Sequence, residues 1–363
     1  MLSTFSFPTK IRFGPGAVNE LPQYATSRPL VVTDAGLAGS PMLKQILALV
    51  PNAVVYSGVL PNPTEQNVFH GVAAYQSNQC DGIIGLGGGS PLDAAKAIRL
   101  KITHPLSLAE YDDLIGGDAH ITSNLPPYVA IPTTSGTGSE VSRSTVITLA
   151  ATNRKTVIFS PYLIPTVAIA DPELTLGLPP RLTAGTGMDA LTHNVEAYLA
   201  KGFHPMCDAI ALAGTKLAWD NLPRVMDNPA DLEARSNMTM ASIMGAVAFQ
   251  KGLGAVHSLA HPLSSDCGMH HGTSNAILLP VVLEYNEPVV SLRIKDLFGE
   301  QNAANQVRAL NKRLNMAPRL RDYGVTEEIL PKLADKAIAD GCHQNNPRPC
   351  TREDLLNLYR MAF

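Results

Sequence analysis

The chain has 363 residues, which is longer than one average domain, so two domains are expected. Apolar residues make up 45% of the sequence and charged residues 16%, which is enough apolar material for large buried cores. The formal net charge is −3 and no lysine and arginine cluster occurs, so charge gives no case for binding nucleic acid or an anionic membrane surface.

Short apolar runs alternate with helix-like segments through the first half of the sequence. A turn that contains Asn153 and Arg154 separates two apolar runs, at residues 146–149 and 155–159, so these runs are predicted to form a hairpin. The other predicted strands are residues 30–33, 53–56, 82–86, 128–131 and 167–170, and the predicted helices are residues 41–49, 67–77 and 92–100. Strands that alternate with helices of about ten residues indicate a parallel, doubly wound, Rossmann-like sheet.

The sequence changes character after Asp171. From Thr183 onward it is rich in alanine, leucine and methionine with a period of three to four residues, which is typical of helices. Pro179 and Pro180 interrupt regular structure and mark the boundary. We therefore predict an α/β dinucleotide-binding domain at residues 1–180 and an all-α domain at residues 181–363.

Cysteine usage and the N-terminal segment predict the cellular compartment. The five cysteines are an odd number, stand far apart and form no CxxC pair, which argues against a disulfide framework. The N-terminal segment lacks the basic and apolar regions of a signal peptide, and no run of about 18 apolar residues occurs. These features predict a cytoplasmic protein with no membrane partner.

A glycine-rich turn, GLGGGSPLD at residues 85–93, follows a predicted strand and precedes a predicted helix. Glycines let backbone N–H groups approach a phosphate, and the N-terminus of a helix adds partial positive charge. The turn is neither a strict GxGxxG motif nor a Walker loop, so an ordinary strand–turn–helix connection is the alternative. Three consecutive glycines favour a pyrophosphate-binding turn.

A second polar loop, PTTSGTGSE at residues 132–140, also follows a predicted strand. Its small hydroxyl side chains and glycines suit phosphate, ribose or the nicotinamide amide, although alone it is equally consistent with an ordinary polar loop. Together the two loops predict a dinucleotide at the carboxyl ends of the strands.

Asp34 ends the predicted strand at residues 30–33. A carboxylate at a strand end can accept hydrogen bonds from a ribose 2′-hydroxyl and would repel a 2′-phosphate, which favours NAD over NADP. The alternative is a common turn aspartate before Gly36.

Candidate metal ligands concentrate in the predicted helical half. Asp189 and His193 are four residues apart and would share one helix face, as would His257 and His261. His270 and His271 follow shortly after. Imidazoles with one carboxylate suit Fe²⁺, Zn²⁺ or Mn²⁺, although a single histidine on a helix is usually structural. Spacing leaves open which of His257, His261, His270 and His271 bind.

These motifs together resemble the iron-containing (group III) alcohol dehydrogenase family. The resemblance covers nearly the whole chain. The matching stretches are VTD (32–34), PNPT (61–64), GGGSPLDAAKA (87–97), PTTSGTGSEV (132–141), GMDALTHNVEAY (187–198), KGLGAVHSLAHPL (251–263), HGTSNAILLP (271–280) and NPRPCTREDLLNLYRMAF (346–363).

The resemblance implies specific roles for the candidate residues. It implies four metal ligands, which are Asp189, His193, His257 and His271. His261 would be a nearby non-ligand histidine that serves the substrate or a proton relay, and Asp93 is assigned with it as catalytic. The implied cofactor contacts are Asn62, Gly88, Gly89, Ser90, Asp93, Thr133, Thr134, Thr137 and Lys155, to which Asp34 is added from the strand-end argument.

Two features depart from the family pattern. The family usually has proline before the last ligand histidine, whereas this chain has His270, and the preceding segment SSDCGM at residues 264–269 is atypical. The stretch from residue 285 to 308 is also shorter than the family pattern. The first departure bears on the substrate pocket, and neither removes a predicted ligand.

The implied reaction is reversible hydride transfer between a small primary alcohol and NAD, which gives the aldehyde. A divalent metal would act as Lewis acid, with Fe²⁺ expected and Zn²⁺ or Mn²⁺ as alternatives. The family implies a homodimer or higher homo-oligomer. Alternatives on the same scaffold are a maleylacetate-reductase-like enzyme and a lyase resembling dehydroquinate synthase, and a non-catalytic nucleotide-binding protein is a more distant one.

Overall fold

The computed structural model describes residues 4–152 and 154–363. Asn153, which belongs to the predicted hairpin turn, lies outside the described residues. So do residues 1–3, which begin the N-terminal segment for which no signal peptide is predicted. The chain divides into two compact units. One, the α/β unit, comprises Phe7–Thr134 and Gly138–Gly177. The other, the helical unit, comprises Leu178–Phe363 with Ser135–Thr137 and residues 4–6.

A six-stranded parallel sheet forms the centre of the α/β unit, which confirms the predicted fold class. The strands of the unit are β1 (Lys10–Phe13), β2 (Pro29–Asp34), β3 (Val54–Val59), β4 (Gly82–Gly87), β5 (Tyr128–Pro132), β6 (Ser144–Leu149), β7 (Arg154–Phe159) and β8 (Val167–Ala170). The sheet order is β1-β8-β5-β4-β2-β3, and every neighbouring pair is parallel. β6 and β7 form the predicted antiparallel hairpin. β1, at the sheet edge, was not predicted because its four residues, KIRF, mix charged and apolar side chains.

Helices α1 (Pro41–Leu49), α2 (Glu65–Ser77) and α3 (Gly89–Thr103) belong to the same unit. Local sequence explains two of their starts: the Ser40 hydroxyl accepts a hydrogen bond from the Leu43 amide, and Thr64 and Asn67 form a capping box. All residues of β4 and β5 are buried, as expected of central parallel strands that are covered on both faces.

The helical unit is built around one buried helix. Its helices are α4 (Pro180–Leu199), α5 (Pro205–Asp227), α6 (Leu232–Ala248), α7 (Ala255–Asp266), α8 (His271–Phe298), α9 (Ala303–Arg313), α10 (Leu330–Ala339) and α11 (Arg352–Ala362). Every residue from Thr183 to Leu199 of α4 is buried, and the helix packs against α5, α6 and α8. Residues 171–363 contain no strand, in agreement with the predicted helical second half.

The segment predicted to be short, residues 285–308, is mostly helical. α8 is kinked at Val290, where φ is −136° and ψ is 29°, two residues after Pro288. It continues to Phe298, and α9 begins five residues later at Ala303. Among the described residues, no helix has the length and apolar character needed to cross a membrane.

Candidate metal centre and nucleotide site

Three helices of the helical unit bring the four predicted metal ligands together. Asp189 and His193 lie one turn apart on the buried helix α4, His257 lies in the first turn of α7, and His271 is the first residue of α8. Asp189 is central to the group. Its Oδ1 atom is 3.7 Å from Nε2 of His193, 3.8 Å from Nε2 of His257 and 3.4 Å from Nε2 of His271.

These separations suit a metal ion. Two ligand atoms at bond lengths of about 2.1 Å in a tetrahedral site lie about 3.4 Å apart, close to the three observed distances. Potential ligand atoms of Asp189, His257 and His271 all lie within 4.8 Å of one another. The ring of His193 stacks on that of His257 with centroids 4.7 Å apart, which keeps His193 beside this trio.

One buried atom of the cluster has no hydrogen-bond partner. Nε2 of His257 is buried, and the nearest carboxylate oxygen, on Asp189, lies beyond hydrogen-bond reach at 3.8 Å. Burying a polar atom without a partner is costly, and such atoms in native proteins commonly face an ion or a water molecule. The donor set and this orphaned nitrogen therefore fit a divalent metal that accepts nitrogen and oxygen ligands.

The pKa shifts in the cluster favour an ionised Asp189 carboxylate among the histidine rings. Burial raises the pKa of the Asp189 carboxyl, but the three surrounding histidines outweigh it and hold the pKa well below its usual range. Burial lowers the pKa of His193 to about 4, so its ring is neutral near pH 7. Burial also opposes protonation of His257, but the Asp189 and Glu196 carboxylates raise its pKa to about 9. A metal ion bound here would displace that proton.

Each candidate ligand on α4 and α7 has a polar contact outside the ligand set. Nδ1 of His257 donates to the buried carboxylate of Glu196 at 2.6 Å, and Nδ2 of Asn275 donates to Oδ1 of Asp189 at 2.8 Å. Nδ1 of His193 lies 3.3 Å from the Gly136 carbonyl oxygen. For the two histidines, such contacts through Nδ1 fix the tautomer and the ring orientation, so that Nε2 points to the cluster centre.

His261 and His270, the remaining candidates, occupy different positions. The ring of His261 stacks on His271 with centroids 5.4 Å apart, and its Nδ1 is hydrogen-bonded to Asp340 at 2.8 Å. His270 is the N-cap residue of α8, where its ring packs against Gly185: a Cβ added at Gly185 would lie 2.6 Å from Cε1 of His270. His270 thus fills space that a glycine on α4 leaves open.

The glycine-rich turn joins β4 to α3, and Gly88, Gly89 and Ser90 at the start of the helix are half-buried. Gly87 has a φ of 145°, which favours glycine, and the N-cap residue Gly88 provides no side-chain cap for α3. A Cβ on Gly88 would lie 3.2 Å from Cγ2 of Thr134, so the second loop comes close to the first. Asn62, with a φ of 58°, donates its backbone N–H to Oγ of Ser90 at 3.3 Å. These predicted contacts therefore meet around the start of α3.

The other predicted cofactor contacts are more dispersed. Thr133 lies beside Thr134 in the α/β unit, whereas Thr137 is assigned to the helical unit. Lys155 lies on β7, where burial lowers its pKa to about 8 against the opposing effect of Asp93. Gly89 is the first residue of α3.

Asp93 and Asp34 both form hydrogen bonds within the α/β unit. The Asp93 carboxylate accepts from the Ser139 hydroxyl at 2.6 Å and from the Val146 amide at 3.1 Å, which ties α3 to β6. The catalytic assignment of Asp93 stays a prediction. Oδ1 of Asp34 accepts from the Gly36 and Leu37 amides, as in the turn alternative, and both bonds use the same oxygen.

Sequence reasoning missed three carboxylate or amide residues around the histidines. Glu196 is three residues after His193 and seven after Asp189. This spacing places it on the same face of α4, so the sequence could have predicted its position. Asn275 follows His271 by four residues, which is the same kind of signal. Asp340 offered none, because 79 residues separate it from His261.

Comparison with known families matches both parts of the chain. Residues 8–172 match the family described as iron-containing alcohol dehydrogenase, and residues 183–363 match the C-terminal region of the Fe-containing alcohol dehydrogenase family.

Comparison with individual proteins gives similar results. The chain is 40% identical to a 4-hydroxybutyrate dehydrogenase from Cupriavidus necator over 98% of each chain. Among solved structures it resembles a 1,3-propanediol oxidoreductase, with a TM-score of 0.95, 36% identity and coverage of 99% of this chain and 100% of that one. It also resembles a sulfoacetaldehyde reductase from Bifidobacterium kashiwanohense in complex with NAD⁺, with a TM-score of 0.91, 29% identity and coverage of 100% and 99%.

Proposed function

The chain belongs to the iron-containing alcohol dehydrogenase family, and from that premise we propose that it interconverts a small primary alcohol and its aldehyde with NAD at a metal held by four ligands. The proposed ligands are Asp189, His193, His257 and His271. The observation that carries the proposal is the buried, unpartnered Nε2 of His257. It lies 3.8 Å from the Asp189 carboxylate, in a ring that packs against the rings of His193 and His271.

The proposed metal is Fe²⁺, which agrees with the family. Zn²⁺ and Mn²⁺ suit the same nitrogen and oxygen ligands, and affinity order alone does not select among the three. When bound, a divalent ion supplies a Lewis acid for the substrate oxygen, which favours loss of the hydroxyl proton. The side chain of His271 is 28% exposed while that of His257 is only 2% exposed, so the cluster is accessible on the His271 side.

NAD is proposed to bind at the start of α3. The uncapped helix N-terminus and the backbone of Gly88 and Gly89 suit a pyrophosphate, because N–H groups and the helix dipole favour negative charge there. Ser90, Asn62, Thr133, Thr134, Thr137, Lys155 and Asp93 are the further proposed contacts. Asp34 is proposed to favour NAD over NADP through repulsion of a 2′-phosphate.

His261 is proposed to pass the substrate proton toward solvent. Its ring stacks on the proposed ligand His271, and 27% of its side chain is exposed, so it contacts both the cluster and water. A neutral imidazole accepts a proton at one ring nitrogen and can release one from the other, which suits proton transfer.

The proposed substrates are short alcohols with a terminal hydroxyl group, such as ethanol, butanol, 1,2-propanediol and 1,3-propanediol. Relatives named for 4-hydroxybutyrate and 1,3-propanediol support this class. No disulfide joins any of the five cysteines, all of which lie among the described residues, and this supports the proposed cytoplasmic location. The protein is also proposed to form a homodimer or a higher homo-oligomer. The boundary between its cofactor-binding and metal-binding domains is proposed to lie at residue 180.

The proposal is tested with a panel of alcohols and both cofactors on protein of known metal content. We expect NAD⁺ reduction with primary alcohols, complete loss of turnover after exhaustive chelation, and recovery on adding Fe²⁺. His271→Ala should lose bound metal and activity together. Full turnover in the chelated protein would refute the metal role, and a preference for NADP⁺ would refute the proposed role of Asp34.

A further inference from the structure

We infer that Asp340 is a positioning residue for His261: a carboxylate that fixes one tautomer and one orientation of the ring. Oδ2 of Asp340 is 2.8 Å from Nδ1 of His261. The inference rests on the proposed proton-transfer role of His261 and goes beyond it, because Asp340 lies 79 residues away and has no place among the ligands or cofactor contacts.

The two oxygens of Asp340 have separate partners. Oδ1 accepts a hydrogen bond from the Ser258 hydroxyl at 2.8 Å and from the Cys342 backbone amide at 2.9 Å. These two donors occupy Oδ1, and Oδ2 is directed at His261. The carboxylate therefore cannot rotate without losing hydrogen bonds at both ends.

The elements that carry the pair are themselves tied together. Asp340 follows the last residue of α10 and caps the short 3-10 helix Gly341–Asn345. Ser258 lies on α7, three residues before His261, so the two side chains share one helix face. Its hydroxyl oxygen also accepts the His343 amide at 2.8 Å. The backbone, rather than solvent, thus determines where Asp340 points.

The ionisation of the Asp340 carboxyl group suits this positioning role. Burial raises the pKa of its carboxyl, but His261 and the surrounding hydrogen-bond donors outweigh burial and lower the pKa well below its usual range. The side chain is only 20% exposed, so water competes weakly for its oxygens. A charged carboxylate can only accept hydrogen bonds, and Nδ1 of His261 must therefore carry the proton between them.

A fixed Nδ1–H leaves Nε2 of the neutral ring with a lone pair. The ring is held nearly parallel to His271, with an interplanar angle of 13°. His261 therefore presents a proton acceptor in one orientation beside the proposed metal ligands. Without Asp340, the ring could rotate or change tautomer and would offer that lone pair for only part of the time.

A second metal site is the competing explanation for the same side chains. His261, Asp340 and Cys342 offer potential ligand atoms within 4.8 Å of one another. However, the Asp340 oxygens already accept three hydrogen bonds, and burial raises the pKa of the Cys342 thiol well above its ordinary value, so the thiol is protonated. Both features favour the hydrogen-bonded pair.

The test compares Asp340→Asn, His261→Ala and the double variant in the full-length, metal-loaded enzyme. We expect D340N to lower kcat about 10- to 100-fold with KM and metal content nearly unchanged, because only proton transfer is impaired. We expect the double variant to be no slower than H261A, since Asp340 acts through His261. Asp335→Asn, on the exposed side of α10, is the matched control and should keep normal turnover.

Several results would overturn the inference. A normal kcat in D340N, or rate losses that multiply in the double variant, would show that Asp340 does not act through His261. Two metal ions per chain in the parent and one in D340N would favour the second metal site. Normal turnover in H261A would refute the proton role of His261 and the inference with it, whereas a slow H261A beside a normal D340N refutes the inference alone.

A second variant keeps the test decisive if D340N does not fold. Ser258→Ala removes one of the two donors to Oδ1 and leaves the His261 contact in place. We expect a smaller loss of kcat, a few-fold at most, and an unchanged KM. A rise in KM with kcat unchanged would instead indicate a binding role and would contradict the inference.

Discussion

At the scale of single residues, the candidate metal centre depends on pairs of side chains. Asp189 is held by Asn275, and His257 is held by Glu196, each through one short hydrogen bond. Asn275 donates to the Asp189 carboxylate and Glu196 accepts from the His257 ring, and such contacts orient ligands around protein-bound metals. The Glu196 contact also determines which ring nitrogen of His257 carries a proton and which faces the cluster.

Glu196→Gln should weaken metal binding about 10- to 100-fold while the protein stays folded, because a neutral amide is a poorer acceptor for Nδ1 of His257. The change is measured as the metal Kd in competition with a chromophoric chelator. Glu233→Gln, whose side chain is 75% exposed on α6, is the control and should bind metal normally. An unaltered Kd in E196Q would show that Glu196 does not support the ligand.

Asp34→Asn should raise the ratio of kcat/KM for NADP⁺ to that for NAD⁺ about 10-fold. The amide removes the negative charge that repels a 2′-phosphate, yet it retains an oxygen that can accept from the Gly36 and Leu37 amides. The measurement is initial rates with both cofactors at saturating alcohol. An unchanged ratio would leave Asp34 as a turn residue only.

At the scale of elements, glycines set how closely α4 and α8 approach. A Cβ on Gly272 would lie 1.9 Å from the carbonyl oxygen of Gly185, a distance that no side chain can occupy. His271 immediately precedes Gly272, and Asp189 lies one turn after Gly185 on α4. The close approach of the two helices therefore sets the separation between these two proposed ligands.

Gly272→Ala should lower the free energy of unfolding by about 1–3 kcal/mol and weaken metal binding, because α8 must move away from α4. Urea denaturation and metal titration measure the two effects. Gly177→Ala is the matched control, since a Cβ there has nothing within 4 Å. Wild-type stability and metal affinity in G272A would contradict this account of the packing.

At the scale of the whole molecule, all four proposed ligands belong to the helical unit, and the start of α3 belongs to the α/β unit. The ligands come from α4, α7 and α8, so a bound ion would link three helices of one unit. A ligand that binds only the folded state stabilises it in proportion to the logarithm of its concentration over Kd. The stabilising effect of the metal should therefore concentrate in that unit.

Removing the metal should lower Tm and should increase hydrogen exchange in α4, α7 and α8 more than in β4 and β5. At a free metal concentration of about 100 times Kd, the expected stabilisation is about 2.7 kcal/mol. Calorimetry and hydrogen-exchange mass spectrometry, with and without a chelator, measure the two effects. Equal changes in exchange throughout the chain would show that the ion does not act through these helices.

The parallel α/β fold, the helical second half and the family could all be predicted from the sequence. These features depend on local periodicity, glycine-rich turns and short motifs, which a single segment can reveal. The sequence also pointed to the ligand residues, because Asp189 and His193 are one helical turn apart and the resemblance selected His257 and His271. The short edge strand β1 could not be predicted, because its four residues carry no local pattern that indicates pairing with the distant strand β8.

The groups that hold the candidate ligands in place became evident from the packing of the helices. Glu196 is 61 residues from His257, and Asp340 is 79 residues from His261, so packing rather than local pattern brings each pair together. The tertiary structure also showed that Asp93 is hydrogen-bonded within its own unit and that His270 packs against a glycine. Hydrogen-bond partners distant in sequence depend on how helices pack, which periodicity does not specify.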